Sequence, residues 1–393
     1  MNKCISIRRR MPLLPVLSAA LAAALNLAAE SGVSIEKADP RMAVPSAAVK
    51  ESGGIQWIDG RKLPIEGRAF DDVSHWYDRL PSNVTSRVNS GVRSMKRHTA
   101  GMQFRFRTGS KKLIFRWRPT ASRLSLAHMP ATGVSGIDVY RFDEARKRWM
   151  FVATGKINNA QKGARLEVPW TPGEACLVNL PLYNGIASFS LGVDEGTLVE
   201  PLGRRASGVE KPVVFYGTSI THGGCASRPG MAFVNIVGRE LDVPVVNLGF
   251  SGSGVMEFEM SEHLARIDAS CYVLDCLWNM GSEKGQSRSG RNVEENYEPF
   301  IRNLRAKRPG VPIVMAEMCD VFGKGPNPKD LFVRALYEKL VKEGWKNLVY
   351  LPKDGMYSAD GEGTVDGVHP NDAGMQTMAA AFGKAVAAAL GLD

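Results

Sequence analysis

Five short apolar runs punctuate the second half of the chain: VVFY (213–216), VPVVNL (243–248), CYVLDCL (271–277), VPIVMAEM (311–318) and NLVYL (347–351). None alternates cleanly between polar and apolar residues, so each suits a strand buried on both faces. Between them, helical patterns fall near 230–241, 261–269, 294–307 and 329–343, and a last one covers about 371–390. Such alternation specifies a doubly wound parallel sheet with helices on both faces, a flavodoxin-like α/β domain. Ligands of these sheets bind at the carboxyl ends of the strands. The residues just after each run are therefore the ones to read for chemistry.

The first half has another texture. From about Ile55 to Val199 the apolar stretches are short and often alternating, as in MQFRFR (102–107), KLIFRWR (112–118), IDVYRF (137–142) and ASFSLGV (187–193). Gly, Pro, Ser and Lys-rich turns separate them, the pattern of a β-sandwich or jelly roll. The chain is thus expected to hold an accessory β-domain over residues 35–203 and a catalytic α/β domain over 208–393, joined near EPLGRRASGVEKP.

Residues 1–29 read as a secretory signal peptide. Lys3, Arg8, Arg9 and Arg10 precede a Leu/Ala-rich stretch that ends on small residues near Ala28 and Ala29. Pro12, Pro15 and Asn26 interrupt that stretch, which argues against a membrane anchor, and no stable membrane insertion is expected once the leader is removed. Export to the periplasm or the extracellular space follows as an expectation, and with it no nucleic-acid partner. The net charge is +10, and four of the basic residues belong to the leader. Part of the remaining excess lies at 105–123, including Arg116, Arg118 and Arg123. It reads as a solvated strand face in preference to a surface for an anionic polymer. Of the six cysteines, Cys4 lies in the leader, and the other five form no CxxC pair or Cys/His cluster, so no zinc site is expected.

Chemistry-bearing residues stand at successive strand ends. Ser219 follows the first run directly, and a serine needs a base within hydrogen-bond reach to act as a nucleophile. His369, in TVDGVHPNDAG (364–374), follows the last strand region, and Asp366 precedes it by three residues. A tight turn there could aim both into one site, with the carboxylate fixing the imidazole tautomer; HPND would equally serve as a plain helix-capping turn. The glycines of NLGFSGSG (247–254), among them Gly252, allow a backbone N–H to face the site, and Asn279 offers a side-chain amide after the third run. Each feature alone is also ordinary turn or cap chemistry.

Taken in order, YGTSI, NLGFSG, LWNM and DGVH resemble the four blocks of the GDSL or SGNH hydrolases over residues 211–390. The resemblance implies Ser219 as nucleophile, His369 as base and Asp366 as its orienting acid. It implies an oxyanion hole from the Ser219 and Gly252 amides and the Asn279 side chain, with no metal or organic cofactor. Two blocks depart from the family pattern. Thr218 stands in place of the acid of Gly-Asp-Ser, and Leu277-Trp278-Asn279-Met280 replaces Gly-x-Asn-Asp. GIDVY (136–140) is similar to the Gly-x-Asp-Leu-Tyr motif of a bacterial subgroup with an extra N-terminal β-domain. The expected activity is removal of an acyl group, acetyl above all, from a glycan or similar small ester through an acyl-serine. Transfer to an alcohol acceptor and a non-catalytic glycan-binding role are the alternatives.

DDVSHWYDRLP (71–81) gathers His75, Trp76, Tyr77, Asp78 and Arg79 without strand alternation, and so reads as a loop. Two readings stand. Either Tyr77 and Arg79 border the Ser219 cleft and bind substrate, or the loop folds back on its own domain with Trp76 as a plug.

Overall fold

The computed structural model describes residues 50–320, 327–358 and 360–392. The expected leader lies outside them. The β-rich half begins with β1 (Lys50–Ser52), β2 (Ile55–Asp59), β3 (Ile65–Glu66), β4 (Gln103–Thr108) and β5 (Lys112–Pro119). It continues with β6 (Ile137–Asp143), β7 (Arg148–Gly155), β8 (Ala164–Pro169), β9 (Ala175–Asn179), β10 (Ile186–Asp194) and β11 (Val199–Pro201). These form two antiparallel sheets, β1-β2-β10-β5-β8 and β11-β4-β9-β6-β7, with β3 on the edge of β4. Side chains two apart share a face. Leu113, Phe115 and Trp117 of β5 therefore meet Phe104, Phe106, Val178, Phe189 and Leu191 in one core, while Arg116 and Arg118 point to solvent. Two short helices, α1 (Ser90–Met95) and α2 (Ala131–Val134), lie in connections.

The α/β half carries β12 (Val213–Gly217), β13 (Val245–Gly249), β14 (Cys271–Asp275), β15 (Ile313–Ala316) and β16 (Leu348–Leu351). All pair in parallel, in the order β13-β12-β14-β15-β16, the flavodoxin-like 2-1-3-4-5 arrangement. Its helices are α3 (Ser219–His222), α4 (Phe233–Glu240), α5 (Phe258–Leu264), α6 (Val293–Lys307), α7 (Pro328–Lys342) and α8 (Asp372–Leu390). Alternation decides which face each strand residue covers. Val214, Tyr216, Leu248, Tyr272 and Met315 pack against α5, α6 and α7. Phe215, Val245, Val273 and Val314 pack against α4 and α8.

The segment between β3 and β4 leaves the sandwich and lies on the α/β half. Phe70, Leu80, Val88 and Val92 share one core with Val214 and Tyr216, although they fall within the span read as accessory domain. Arg79 explains how they are anchored. Its buried guanidinium donates to the carbonyls of Asn247 (3.0 Å) and Gly249 (2.8 Å), and to that of Met95 (2.9 Å). β13 is an edge strand, and Arg79 satisfies carbonyls that no neighbouring strand reaches. A second tie is ionic. Arg205 pairs with Asp242 at 2.9 Å and with Glu66, and Arg105 lies 3.7 Å from Glu66 and 3.5 Å from Asp242. Cys176, Cys225, Cys271, Cys276 and Cys319 are all buried free thiols.

Candidate active site

Ser219 sits where β12 gives way to α3. A Cβ on Gly217 would lie 2.0 Å from Thr221 Oγ1 and 2.6 Å from the Asp275 carbonyl, so only glycine permits this close turn. Thr218 caps the helix by accepting the Ile220 N–H at 3.2 Å. This is what an aspartate would do there, so the departure from Gly-Asp-Ser leaves the cap intact. As the first residue of α3, Ser219 has an N–H without an intrahelical acceptor.

The late turn meets this serine. His369 Nε2 lies 2.9 Å from Ser219 Oγ, and His369 Nδ1 lies 2.8 Å from Asp366 Oδ2. The other Asp366 oxygen accepts the backbone N–H groups of His369 (2.7 Å) and Val368 (3.0 Å). Partial burial would raise the Asp366 carboxyl, but the hydrogen bonds from His369 and Val368 outweigh it and hold the group below its ordinary value. Asn371 caps α8 by accepting the N–H groups of Ala373 and Gly374. The sequence DGVHPND thus builds both the helix cap and the Asp–His pair.

Gly252 follows β13 with φ +65°, a left-handed conformation suited to glycine. The Asn279 amide donates to the carbonyls of Phe250 (3.3 Å) and Gly254 (3.2 Å), tying the Gly252 loop to the end of β14. Trp278, which departs from the family pattern, donates its indole N–H to the Cys319 carbonyl at 2.6 Å, after β15. Ser219, Gly252 and Asn279 therefore stand on adjacent elements around the point where strand order reverses.

The β-rich half completes the surroundings with residues that sequence reasoning missed. The Tyr183 hydroxyl donates to the Ser219 carbonyl at 3.0 Å, and its ring stacks on His222 at 4.1 Å. His128 is exposed, with its ring centroid 5.8 Å from that of His369. His222, the histidine nearest the serine in sequence, is buried. Burial, reinforced by the Arg79 charge, drives its pKa well below the ordinary value and keeps it neutral. Asp138 of GIDVY is also buried. It accepts from Arg228 (2.9 Å), Gly230 N–H (2.8 Å) and Asn179 (2.8 Å), holding the segment that leaves the Ser219 turn. Ser227 N–H then donates to Asp372 at 2.8 Å, linking that segment to the turn carrying His369.

The expectation that Tyr77 and Arg79 bind substrate is corrected. Tyr77 packs into the sandwich core, and Arg79 is sealed between the halves with its guanidinium committed to backbone carbonyls. Neither side chain offers a surface to a ligand. Trp76 packs half-buried against the sandwich core beneath Arg68, as the fold-back reading has it, while the loop runs on into the α/β core at Leu80.

Among the described residues, no group of three His, Cys, Asp or Glu side chains is placed to hold a metal ion, and no helix is long and apolar enough to cross a membrane. A serine hydrogen-bonded to an Asp-oriented histidine at the carboxyl end of a parallel sheet defines a hydrolase of the serine esterase class. The α/β half is a domain of the GDSL-like lipase/acylhydrolase family, preceded by the N-terminal domain found in SGNH-hydrolase-type esterases. That family's model matches residues 210–387, and the model of the GxDLY N-terminus of SGNH-hydrolase-type esterases matches residues 55–199. Among solved structures, the chain is similar to a protein from Bacteroides ovatus described as a GDSL-like lipase. The two are 26% identical with a TM-score of 0.71, over 86% of this chain and 99% of that one. It shares its fold with the salicylyl-acyltransferase SsfX3 of a tetracycline biosynthetic pathway (17% identity, TM-score 0.66, 86% of this chain and 98% of that one). It likewise shares its fold with a family two carbohydrate esterase from Clostridium thermocellum (14% identity, TM-score 0.55, 75% of this chain and 94% of that one). Among curated proteins, none matches the chain.

Proposed function

We propose that this protein is an exported esterase that removes acetyl groups from a carbohydrate through an acyl-serine intermediate. The observation that carries the reading is the continuous hydrogen-bonded path from Ser219 Oγ through His369 to Asp366. Ser219 Oγ attacks the ester carbonyl as its proton passes to His369 Nε2. The resulting oxyanion accepts from the Ser219 and Gly252 N–H groups and from one Asn279 N–H, which gives up one of its two long bonds to the Phe250 and Gly254 carbonyls. Collapse breaks the ester C–O bond, and the departing sugar oxygen takes the proton from His369 to leave as a hydroxyl. Water, activated by the same imidazole, then attacks the acyl-serine and frees acetate. Asp366 stays ionised throughout and stabilises the imidazolium, which its lowered pKa favours.

A carbohydrate substrate is supported by the likeness of fold to a carbohydrate esterase and by the site's position between two domains, where Tyr183 and His128 of the β-rich half flank the triad. Export is supported by the leader pattern of residues 1–29. The test is acetate release from acetylated oligosaccharides by wild type and Ser219→Ala, with and without an added acceptor alcohol. Acetate release that vanishes in the variant upholds the reading. Acyl transfer to the alcohol in place of hydrolysis overturns the hydrolytic part, and release that persists in the variant overturns the role of Ser219.

A further inference from the structure

We propose that the outer face of the β1-β2-β10-β5-β8 sheet is a second binding site, for an anionic polysaccharide. The face was expected to be merely solvated; the pairing register gives it a different character. Arg116 of β5 stands directly opposite Arg165 of β8 and Ser190 of β10, and Arg118 stands opposite Ser188. All five of these side chains point outward, since the alternate residues Phe115, Trp117 and Phe189 fill the core. Like charges directly opposite each other destabilise a strand pair. A sheet that keeps two arginines in this register sacrifices stability for a concentrated positive surface.

The small serines of β10 leave a trough beside the arginines. The groove has a volume of about 570 Å³, and Lys162, on the turn before β8, stands at its side. Among the described residues, Arg116, Arg118 and Lys162 have no carboxylate partner, and only Arg165 is paired, with Glu167. Arg116 is further braced, its guanidinium 3.8 Å above the Trp57 ring. The cations do not converge on one point. They spread along two adjacent strands, β5 and β8, and the turn before β8, with the serines of β10 alongside. Dispersed cations with hydroxyls beside them match a chain carrying repeated carboxylate or sulfate groups, with serines to meet sugar hydroxyls. A single small anion would engage only part of them.

The groove also lies within a short reach of the Ser219 turn along the chain. Ser188 follows Tyr183, whose hydroxyl holds the Ser219 carbonyl, by five residues, a reach of no more than about 18 Å even if fully extended. A polymer seated along Arg118 and Ser188 would present neighbouring sugars to Ser219. This delivery role rests on the esterase reading above; the binding itself does not.

The test separates the two. Binding of polygalacturonate is measured calorimetrically with the Ser219→Ala protein, alongside dextran, galacturonic acid monomer and a short DNA duplex. The site predicts salt-sensitive binding of the polyuronate that falls at least tenfold in Arg116→Ala/Arg118→Ala and is largely restored in Arg116→Lys/Arg118→Lys. It also predicts that the alanine variant of the otherwise wild-type enzyme hydrolyses an aryl acetate at the normal rate. No binding of the polyuronate, unchanged binding in the alanine variant, or equal binding of dextran, monomer or DNA would overturn the proposal. Failure of aryl acetate turnover in wild type would instead count against the esterase reading and leave the binding result to stand on its own.

Discussion

Asn279→Ala separates two jobs of one side chain, the loop tie seen in the structure and the oxyanion donor of the proposed mechanism. The amide makes two long neutral hydrogen bonds, to the carbonyls of Phe250 at 3.3 Å and Gly254 at 3.2 Å. Each contributes about 1 kcal/mol or less net, so the loss of stability should be roughly 1–2 kcal/mol. As a donor to an oxyanion that exists only in the transition state, the same amide should contribute about 3 kcal/mol, a factor of a hundred to a thousand in rate. Its loss should therefore lower kcat while leaving KM near wild type. Initial rates on an aryl acetate, with denaturant titration of both proteins, measure the two effects independently. A variant that is destabilised as expected but turns over within about threefold of wild type would refute the catalytic role. Asn279 would then be a loop tie alone.

Arg79→Met keeps the bulk but strips three carbonyls of their donor, and should cost about 3 kcal/mol by denaturant titration; a loss below about 1 kcal/mol would contradict the anchoring role. Asp275 is buried with one hydrogen bond, from Thr221, and burial pushes its pKa up from 3.8 to about 7. A raised carboxyl favours the folded state below the unfolded pKa, and that advantage is lost as pH rises through about 7. Asp275→Asn should thus gain stability relative to wild type between pH 4 and 8, by an amount on the order of 4 kcal/mol, and a pH-independent difference would exclude the buried carboxyl as the cause. His128→Ala should spare aryl acetate turnover but slow deacetylation of an oligosaccharide, because the exposed ring flanks His369 from the other domain; equal effects on both substrates would contradict this.

The α/β half was readable because its physics is local. Strands buried on both faces must be continuous apolar runs, and the residues that follow them must line the switch point, so Ser219, Gly252 and Asn279 announce themselves by position. Asp366 and His369 were legible as a pair for the same reason, since one short turn builds both. The segment carrying Phe70, Leu80, Val88 and Val92 was not. Its apolar residues follow no period, and their partners lie more than a hundred residues further on. Arg79 misled because an arginine among polar residues reads as surface, and only the open edge of β13 explains its burial. Tyr183 and His128 gave no local signal, because they reach the site from the opposite domain. On the basic face, alternation showed which residues point outward but not the register that sets Arg116 against Arg165.

The central claim is that Ser219 becomes acylated with His369 as its base. Rapid quench of the enzyme with an aryl acetate, followed by peptide mass spectrometry, tests it directly. The structure predicts one acetyl group on the peptide containing Ser219, with no such adduct in Ser219→Ala and a strongly slowed burst in His369→Ala. An acetyl group found on another residue, or an undiminished burst without His369, would contradict the account.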